Sequence, residues 1–211
     1  MITINNDNVF NLDGAIRGMR NPLNSWDKSD SYYDENGNYI LGENDVKLAK
    51  SLDMAGSDHR KFMRQIFVSV DIKAPLYWWK EFDTYKVGTT ANSCSTMHTI
   101  HTKEFTVDDF SHEHLCELSL VDLRRVVDTL NKCRTLYLET KDKTYWWQII
   151  QLLPSSYNQL RTVTMNYENL VNMYHARKAH KLDEWREYCK WIETLPYSKL
   201  ITGGKDDAVE E

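Results

Sequence analysis

Residues 64–75 read Arg64-Gln-Ile-Phe-Val-Ser-Val-Asp-Ile-Lys-Ala-Pro75. Ile66, Val68, Val70 and Ile72 occupy alternate positions, so they share one side of an extended chain. Their β-branched side chains favour that conformation. The alternation predicts a strand over 64–72 with one buried face. Pro75 lacks an N–H that a first helical turn does not need, which predicts a helix start there. Leu76, Trp79, Lys80 and Asp83 follow at helical spacing. That helix fades into Val87-Gly-Thr-Thr-Ala-Asn-Ser93, read as a polar loop.

Outward toward the C-terminus, Thr106-Val-Asp-Asp109 and Ser119-Leu-Val-Asp122 place an acid three residues after a hydroxyl, the pattern of a capping box. Leu120, Leu123, Val127 and Leu130 form an apolar helical stripe, and a second helix is predicted over 142–152 before Pro154. Residues 157–166 read as a strand, with Asn166 capping the next helix. A last helix carries Trp185, Tyr188, Cys189 and Ile192 on one face. Toward the N-terminus, Asn44 is the expected cap of a short helix containing Leu48, Ala49 and Leu52, ended by Gly56. Residues 1–45 are rich in Asn, Asp, Ser and Gly and read as short strands and loops, with a turn at Asp34–Asn38. Residues 203–211 read as a flexible polar tail. No repeat or linker interrupts this order, so one α+β domain over 1–211 is predicted, with a small mixed or antiparallel sheet packed against a helical region.

Composition agrees with a packed protein. The 211 residues are 41% hydrophobic and 27% charged, enough for a core and too apolar for a disordered chain. The net charge of -5 gives no basic surface for coating nucleic acid. No apolar run is long enough to cross a membrane, and the N-terminus does not read as a secretory signal. A cytoplasmic protein with reduced thiols is the expectation, because Cys94, Cys116, Cys133 and Cys189 form no close pair. His98-x-x-His101 and His112-x-His114 read as loop histidines, and no metal site is expected. The aromatic content is high, with 7 Trp, 12 Tyr and 6 Phe; Trp78-Trp79 and Trp146-Trp147 read as core pairs, with ligand stacking as the alternative.

Three segments, in order and at matching spacing, resemble the flavin-dependent thymidylate synthases. His59 through Lys73-Ala-Pro75 follows the family's histidine stretch, alternating strand and Lys-Ala-Pro, with Arg64 where the family has Glu. Residues 75–98 occupy the place of the family signature. There Glu81 replaces Gln, and Thr84-Tyr85-Lys86 replaces Arg-His-Arg. Asn92 and Ser95 match, while Ser93, Met97 and His98 stand for Glu, Arg and Tyr. Leu153-Pro154 then leads through a strand to Asn166, Asn172 and Arg177, which keep family identity and spacing. The resemblance covers roughly residues 45–197, and 1–45 is a divergent segment.

The resemblance implies an enzyme that reductively methylates dUMP to dTMP with FAD, using NADPH and methylenetetrahydrofolate, without a protein nucleophile. It implies cofactor contacts at His59, Lys61, Thr84, Tyr85, Lys86, Asn92, Asn166 and Asn172. It implies contacts to a pyrimidine nucleotide at Glu81, Ser93, Ser95, Arg161 and Arg177. A homo-oligomer, a tetramer as in the family, is also implied. The altered signature leaves two alternatives open: a relative acting on another pyrimidine nucleotide, or a non-catalytic nucleotide-binding protein on the same fold. A lysine cannot reproduce the bidentate fork of a lost arginine.

Overall fold

The alternating segment forms β4 of a computed structural model that describes residues 1–203; the expected tail beyond Gly203 lies outside the described residues. In chain order the elements are β1 (Thr3–Phe10), α1 (Leu12–Met19), β2 (Tyr32–Tyr33), β3 (Tyr39–Ile40), α2 (Glu43–Met54), β4 (Phe67–Pro75), α3 (Leu76–Phe82), β5 (Thr90–Ser93), α4 (Thr96–Thr99), α5 (Glu117–Thr140), α6 (Lys143–Leu152), β6 (Asn158–Asn166), α7 (Tyr167–Arg177), α8 (Asp183–Thr194) and α9 (Lys199–Thr202). The fold is α+β. One sheet has the order β1-β4-β6-β5, and β2 and β3 form an antiparallel hairpin. β4 and β6 run antiparallel: Ile66 accepts from the Tyr167 N–H at 3.0 Å, and Tyr157 accepts from the Leu76 N–H at 3.0 Å. The described residues divide into two compact units. One comprises Met1–Ile4, Asp71–Thr84 and Ala91–Thr162; the other comprises Asn5–Val70, Tyr85–Thr90 and residues 163–203.

In the first unit, α5 and α6 form a helical hairpin. Lys141 turns the chain in the left-handed region at φ 59, and the Asp142 side chain then caps α6 by accepting from the Thr144 N–H at 2.8 Å. Leu123, Val127, Leu130 and Ile149 bury the predicted stripe together with Ile100, Phe105 and Phe110. On α3, Trp78, Trp79 and Phe82 are almost wholly buried, their rings 4.9 to 5.2 Å apart. The second unit packs Ala15, Ile16 and Met19 of α1 and Trp185, Tyr188 and Ile192 of α8 into its core. Tyr188 is wholly buried, and its hydroxyl donates to the Met165 sulfur at 3.1 Å.

Several expectations shift, each for a physical reason. The strand starts at Phe67, because residues 60–65 coil into a 3-10 helix that buries Phe62 and Met63. Pro75 closes that strand in extended geometry (φ -67, ψ 151) instead of opening the helix. Residues 90–93 are not loop but the exposed edge strand β5, too short and polar to show alternation. Ser119 lies inside α5, which begins at Glu117 after Cys116. Asn44 lies inside α2, whose first turn is capped from a distance: the Asp30 carboxylate accepts from the Asn44 and Asp45 N–H groups at 2.9 and 3.2 Å. Gly42 leaves room for this, since a Cβ there would meet Asp30 Oδ1 at 2.2 Å. Residues 1–45 also contain the full helix α1, which the loop reading missed. The second tryptophan pair is not core: Trp147 is 49% exposed.

Candidate functional site

The segment from Thr84 to Ser95 begins at the end of α3. Thr84 closes that helix, its N–H and hydroxyl both donating to the Glu81 carbonyl at 3.1 and 2.7 Å. Thr84 is exposed and Glu81 half-buried. Within the same unit, Arg161 on β6 is held on three sides. Its Nη1 donates to Asp83 at 2.7 Å, its Nε donates to Gln159 at 3.0 Å, and its guanidinium carbon lies 4.2 Å from the Trp79 ring centroid. Gln159 in turn donates to the Cys94 carbonyl at 2.8 Å and accepts, through its backbone oxygen, from the Trp79 indole at 2.9 Å. An anion approaching Arg161 therefore meets a cation already balanced by Asp83. Asn92 and Ser93 sit exposed on β5, and the Ser95 hydroxyl caps α4 by accepting from the His98 N–H at 3.2 Å. Asp83 and Gln159 carry no sequence signal of their own; only the fold brings them to Arg161.

In the other unit, Tyr85 and Arg177 come together although 92 residues separate them. Arg177 Nε donates to the Tyr85 hydroxyl at 2.9 Å. The guanidinium carbon lies 5.6 Å from the Tyr85 ring and 4.8 Å from the Trp185 ring. Both are cation–π contacts that restrict the arginine's plane. Trp185 is fully buried against Tyr188, whose phenol burial pushes well above its ordinary value. A positive charge is thus braced on a rigid aromatic base.

The chain after Tyr85 is pinned at its far side as well. Asn169 Nδ2 donates to the Val87 carbonyl at 2.7 Å, and the Thr89 hydroxyl donates to the Tyr85 carbonyl at 2.5 Å. Gly88 is required here: its φ is +76, and a Cβ would come 2.9 Å from Asn166 Nδ2. Asn166 and Asn169 form a reciprocal capping box, each side-chain oxygen accepting the other's backbone N–H at 3.0 and 3.1 Å. Asn166 is therefore committed first to starting α7, with its amide nitrogen beside Gly88. Asn172 lies exposed on α7, and Lys86 is exposed in the loop.

His59 and Lys61 belong to a different part of the same unit. They line a cavity of about 860 Å³ whose other walls include Met19 of α1, Leu48 and Leu52 of α2, Phe62 and Arg64. Arg64 donates to the Ser57 carbonyl at 3.3 Å. Cationic donors on an apolar wall suit a ligand with flat rings and phosphates. The sequence reading missed the α1 wall, although Leu12, Ala15, Ile16 and Met19 already show helical spacing. Among the described residues no group of His, Cys, Asp and Glu could hold a metal, and no helix is long and apolar enough to cross a membrane.

No family model matches the chain, and no curated protein matches it in sequence. Solved structures do. Thymidylate synthase X from Helicobacter pylori, solved with FAD and dUMP, superposes with a TM-score of 0.68 at 17% identity, covering 96% of this chain and 97% of that one. Another structure of the flavin-dependent enzyme from Helicobacter pylori, also complexed with FAD and dUMP, gives 0.66 at 18% identity over 94% and 96%. A UMP/dUMP methylase, PolB from Streptomyces cacaoi, bound with 5-Br dUMP, gives 0.60 at 13% identity over 96% and 93%. The chain is built on the fold of the flavin-dependent thymidylate synthases.

Proposed function

We propose that this protein is a flavin-dependent methylase of a pyrimidine nucleotide, converting dUMP to dTMP with FAD as cofactor and NADPH and methylenetetrahydrofolate as co-substrates. The observation that carries this reading is the Tyr85–Arg177 pair. It joins the aromatic residue of Thr84-Tyr85-Lys86 to an arginine whose identity and spacing match the family in the resemblance. Arg177, braced by Trp185, takes the nucleotide phosphate by charge-assisted hydrogen bonding. Arg161, Ser95, Ser93 and Glu81, in the first unit, are nucleotide contacts on the strength of the family resemblance alone. The His59 imidazole and the Lys61 ammonium, on an apolar cavity wall, fit the phosphates and rings of a flavin dinucleotide. In the same unit Tyr85 offers a ring, Asn166 and Asn172 offer amides and Lys86 offers an ammonium; Thr84 and Asn92, in the first unit, are cofactor contacts on the strength of the family resemblance alone. Bound FAD supplies the hydride that reduces the transferred one-carbon unit. The protein's own contribution is positioning and charge, not a nucleophile. As in the family, assembly into a tetramer accompanies this reading.

Incubating the protein with FAD, NADPH, methylenetetrahydrofolate and dUMP tests the proposal. Formation of dTMP with NADPH consumption supports it; no dTMP at any nucleotide concentration refutes it. A second reading, methylation of another pyrimidine nucleotide, is favoured by one observation: Arg161 is already paired with Asp83, while Met97 brings no charge where the family has arginine. Product from UMP but not dUMP in the same assay selects that reading. Saturable nucleotide binding without turnover selects a non-catalytic binding protein.

A further inference from the structure

Arg20 follows the last residue of α1, and the chain then folds back onto it. Its carbonyl accepts from the Leu23 and Ser25 N–H groups at 3.4 and 3.3 Å, and Asn24 turns the chain in the left-handed region at φ 48. Pro22 stiffens the short 3-10 helix Asn21–Leu23 at its start. The Trp26 indole donates to Asn21 Oδ1 at 2.9 Å and ties the segment again from its far end. The buried Arg20 side chain completes the brace with two arms: Nε donates to Asp45 on α2 at 2.6 Å, and Nη1 donates to the Ser25 carbonyl at 3.2 Å. Residues 21–25 are thus a fixed turn, and all of these groups lie in one unit.

Asn21, Pro22, Leu23 and Ser25 line the cavity walled by His59 and Lys61. Leu48 and Leu52 of α2 line it too, and they follow Asp45 at spacings of three and four residues, on one helical face. One buried ion pair therefore ties two walls of the cavity together, the turn through Arg20 and α2 through Asp45. Leu23 lines this cavity while 81% of its surface faces water, which puts it at the mouth. Single exposed leucines are ordinary on a protein surface. This one stands on a braced backbone, so little ordering cost opposes its contact with a ligand. A purely scaffolding role accounts for the Arg20 bond to Asp45. It does not account for a second arm given to a turn whose Asn21, Pro22 and Leu23 add nothing to the core.

We propose that Leu23 is a ligand-contact residue of this cavity, covering a flat ring of the dinucleotide seated there, and that Arg20 is the positioning residue that holds it in place. The inference rests on the cofactor reading of the cavity, and it adds a part for residues 1–45, which lie outside the family resemblance. The driving force is removal of the leucine and the ring from water.

The full chain is titrated with FAD, with flavin fluorescence and calorimetry as readouts. Leu23→Ala should bind FAD about tenfold more weakly, near the low end for burying a leucine side chain. Its urea midpoint should not move, because the leucine it replaces is exposed. Met54→Ala, at a side chain 89% exposed and outside the cavity lining, should bind as the parent does. Arg20→Lys keeps a cation for Asp45 and loses the arm to Ser25. It should weaken FAD by a similar factor, and adding Leu23→Ala to it should cost little more, since a released leucine has no contact left to lose. If Arg20→Lys fails to fold, Trp26→Phe, which removes the indole donor to Asn21, takes its place in the cycle. A parent that binds FAD and a Leu23→Ala variant that binds it equally tightly overturn the inference and leave the cofactor reading standing. Losses that multiply in the double variant overturn the positioning role of Arg20. A parent that takes up no FAD overturns the cofactor reading and the inference with it.

Discussion

The Arg177 guanidinium donates through Nε to the Tyr85 hydroxyl at 2.9 Å while its plane rests near the Trp185 ring, 4.8 Å from guanidinium carbon to centroid. The hydrogen bond and the ring contact together brace the Arg177 cation. Tyr85→Phe keeps the ring and removes the acceptor. Its unfolding free energy in urea should fall by about 1.5–3 kcal/mol, the range for a hydrogen bond to a charged group. An unchanged midpoint denies the bond any structural role.

Arg177→Ala should weaken dUMP binding at least tenfold by calorimetry, because a desolvated charge-assisted contact to phosphate contributes about 1.5–3 kcal/mol. Unchanged affinity means that the phosphate lies elsewhere.

Arg20 and Asp45 form a buried ion pair at 2.6 Å, with 4% and 0% of their side chains exposed. Ser29 and Ser31 hydroxyls also donate to Asp45, at 2.7 and 2.6 Å. Burial alone raises the Asp45 carboxyl, but the hydrogen bonds from Ser31, Ser29 and Arg20 outweigh it and hold the group below its ordinary 3.8. A depressed folded value means that this stabilisation is fully present above the unfolded value and is lost as pH falls through the folded one. Asp45→Asn should therefore lose less stability between pH 7 and pH 3 than the parent, by thermal or urea unfolding. Arg20→Ala should cost about 3–5 kcal/mol at neutral pH, because it strands a buried carboxylate. Parallel pH profiles for parent and Asp45→Asn contradict this assignment.

Leu130 is wholly buried among Val127, Ile149 and Phe110 in the hairpin core. Leu130→Ala should cost about 2–5 kcal/mol in urea unfolding, the range for a truncated buried leucine. Exposed Leu118 on the same helix, 75% open to solvent, should tolerate alanine within about 0.5 kcal/mol.

The thiols should separate by reactivity. Backbone and hydroxyl donors of Ser119 lower the exposed Cys116 thiol, while burial pushes the Cys189 thiol up to about 11. Iodoacetamide at pH 8 should label Cys116 in the native protein and Cys189 only after unfolding, as read by mass spectrometry. Equal labelling of the two in native protein contradicts the burial of α8.

The elements that carry strong periodicity were readable in the sequence: the Ile66–Ile72 alternation, the Leu123–Val127–Leu130 stripe and the Asn166 cap all appear in the structure. What escaped the reading depends on tertiary contact. The α2 cap comes from Asp30, across a loop, so no local pattern announces it. β5 exists because β6 offers it hydrogen bonds, as Cys94 N–H to the Leu160 carbonyl at 2.9 Å shows. α1 was hidden by two glycines and an asparagine-rich approach, yet its Ala15, Ile16 and Met19 are buried. At the candidate site, the identity and spacing of Asn166 and Arg177 were visible, but their partners Gly88 and Tyr85 came into view only with the fold. Trp147 was read as core because tryptophan usually is; on α6 it stands half in water instead.

The visible absorbance spectrum of the purified protein decides whether it is a flavin-dependent nucleotide methylase. Bound flavin bands are expected, either as isolated or after incubation with FAD and removal of the excess. A colourless protein that takes up no added FAD contradicts it.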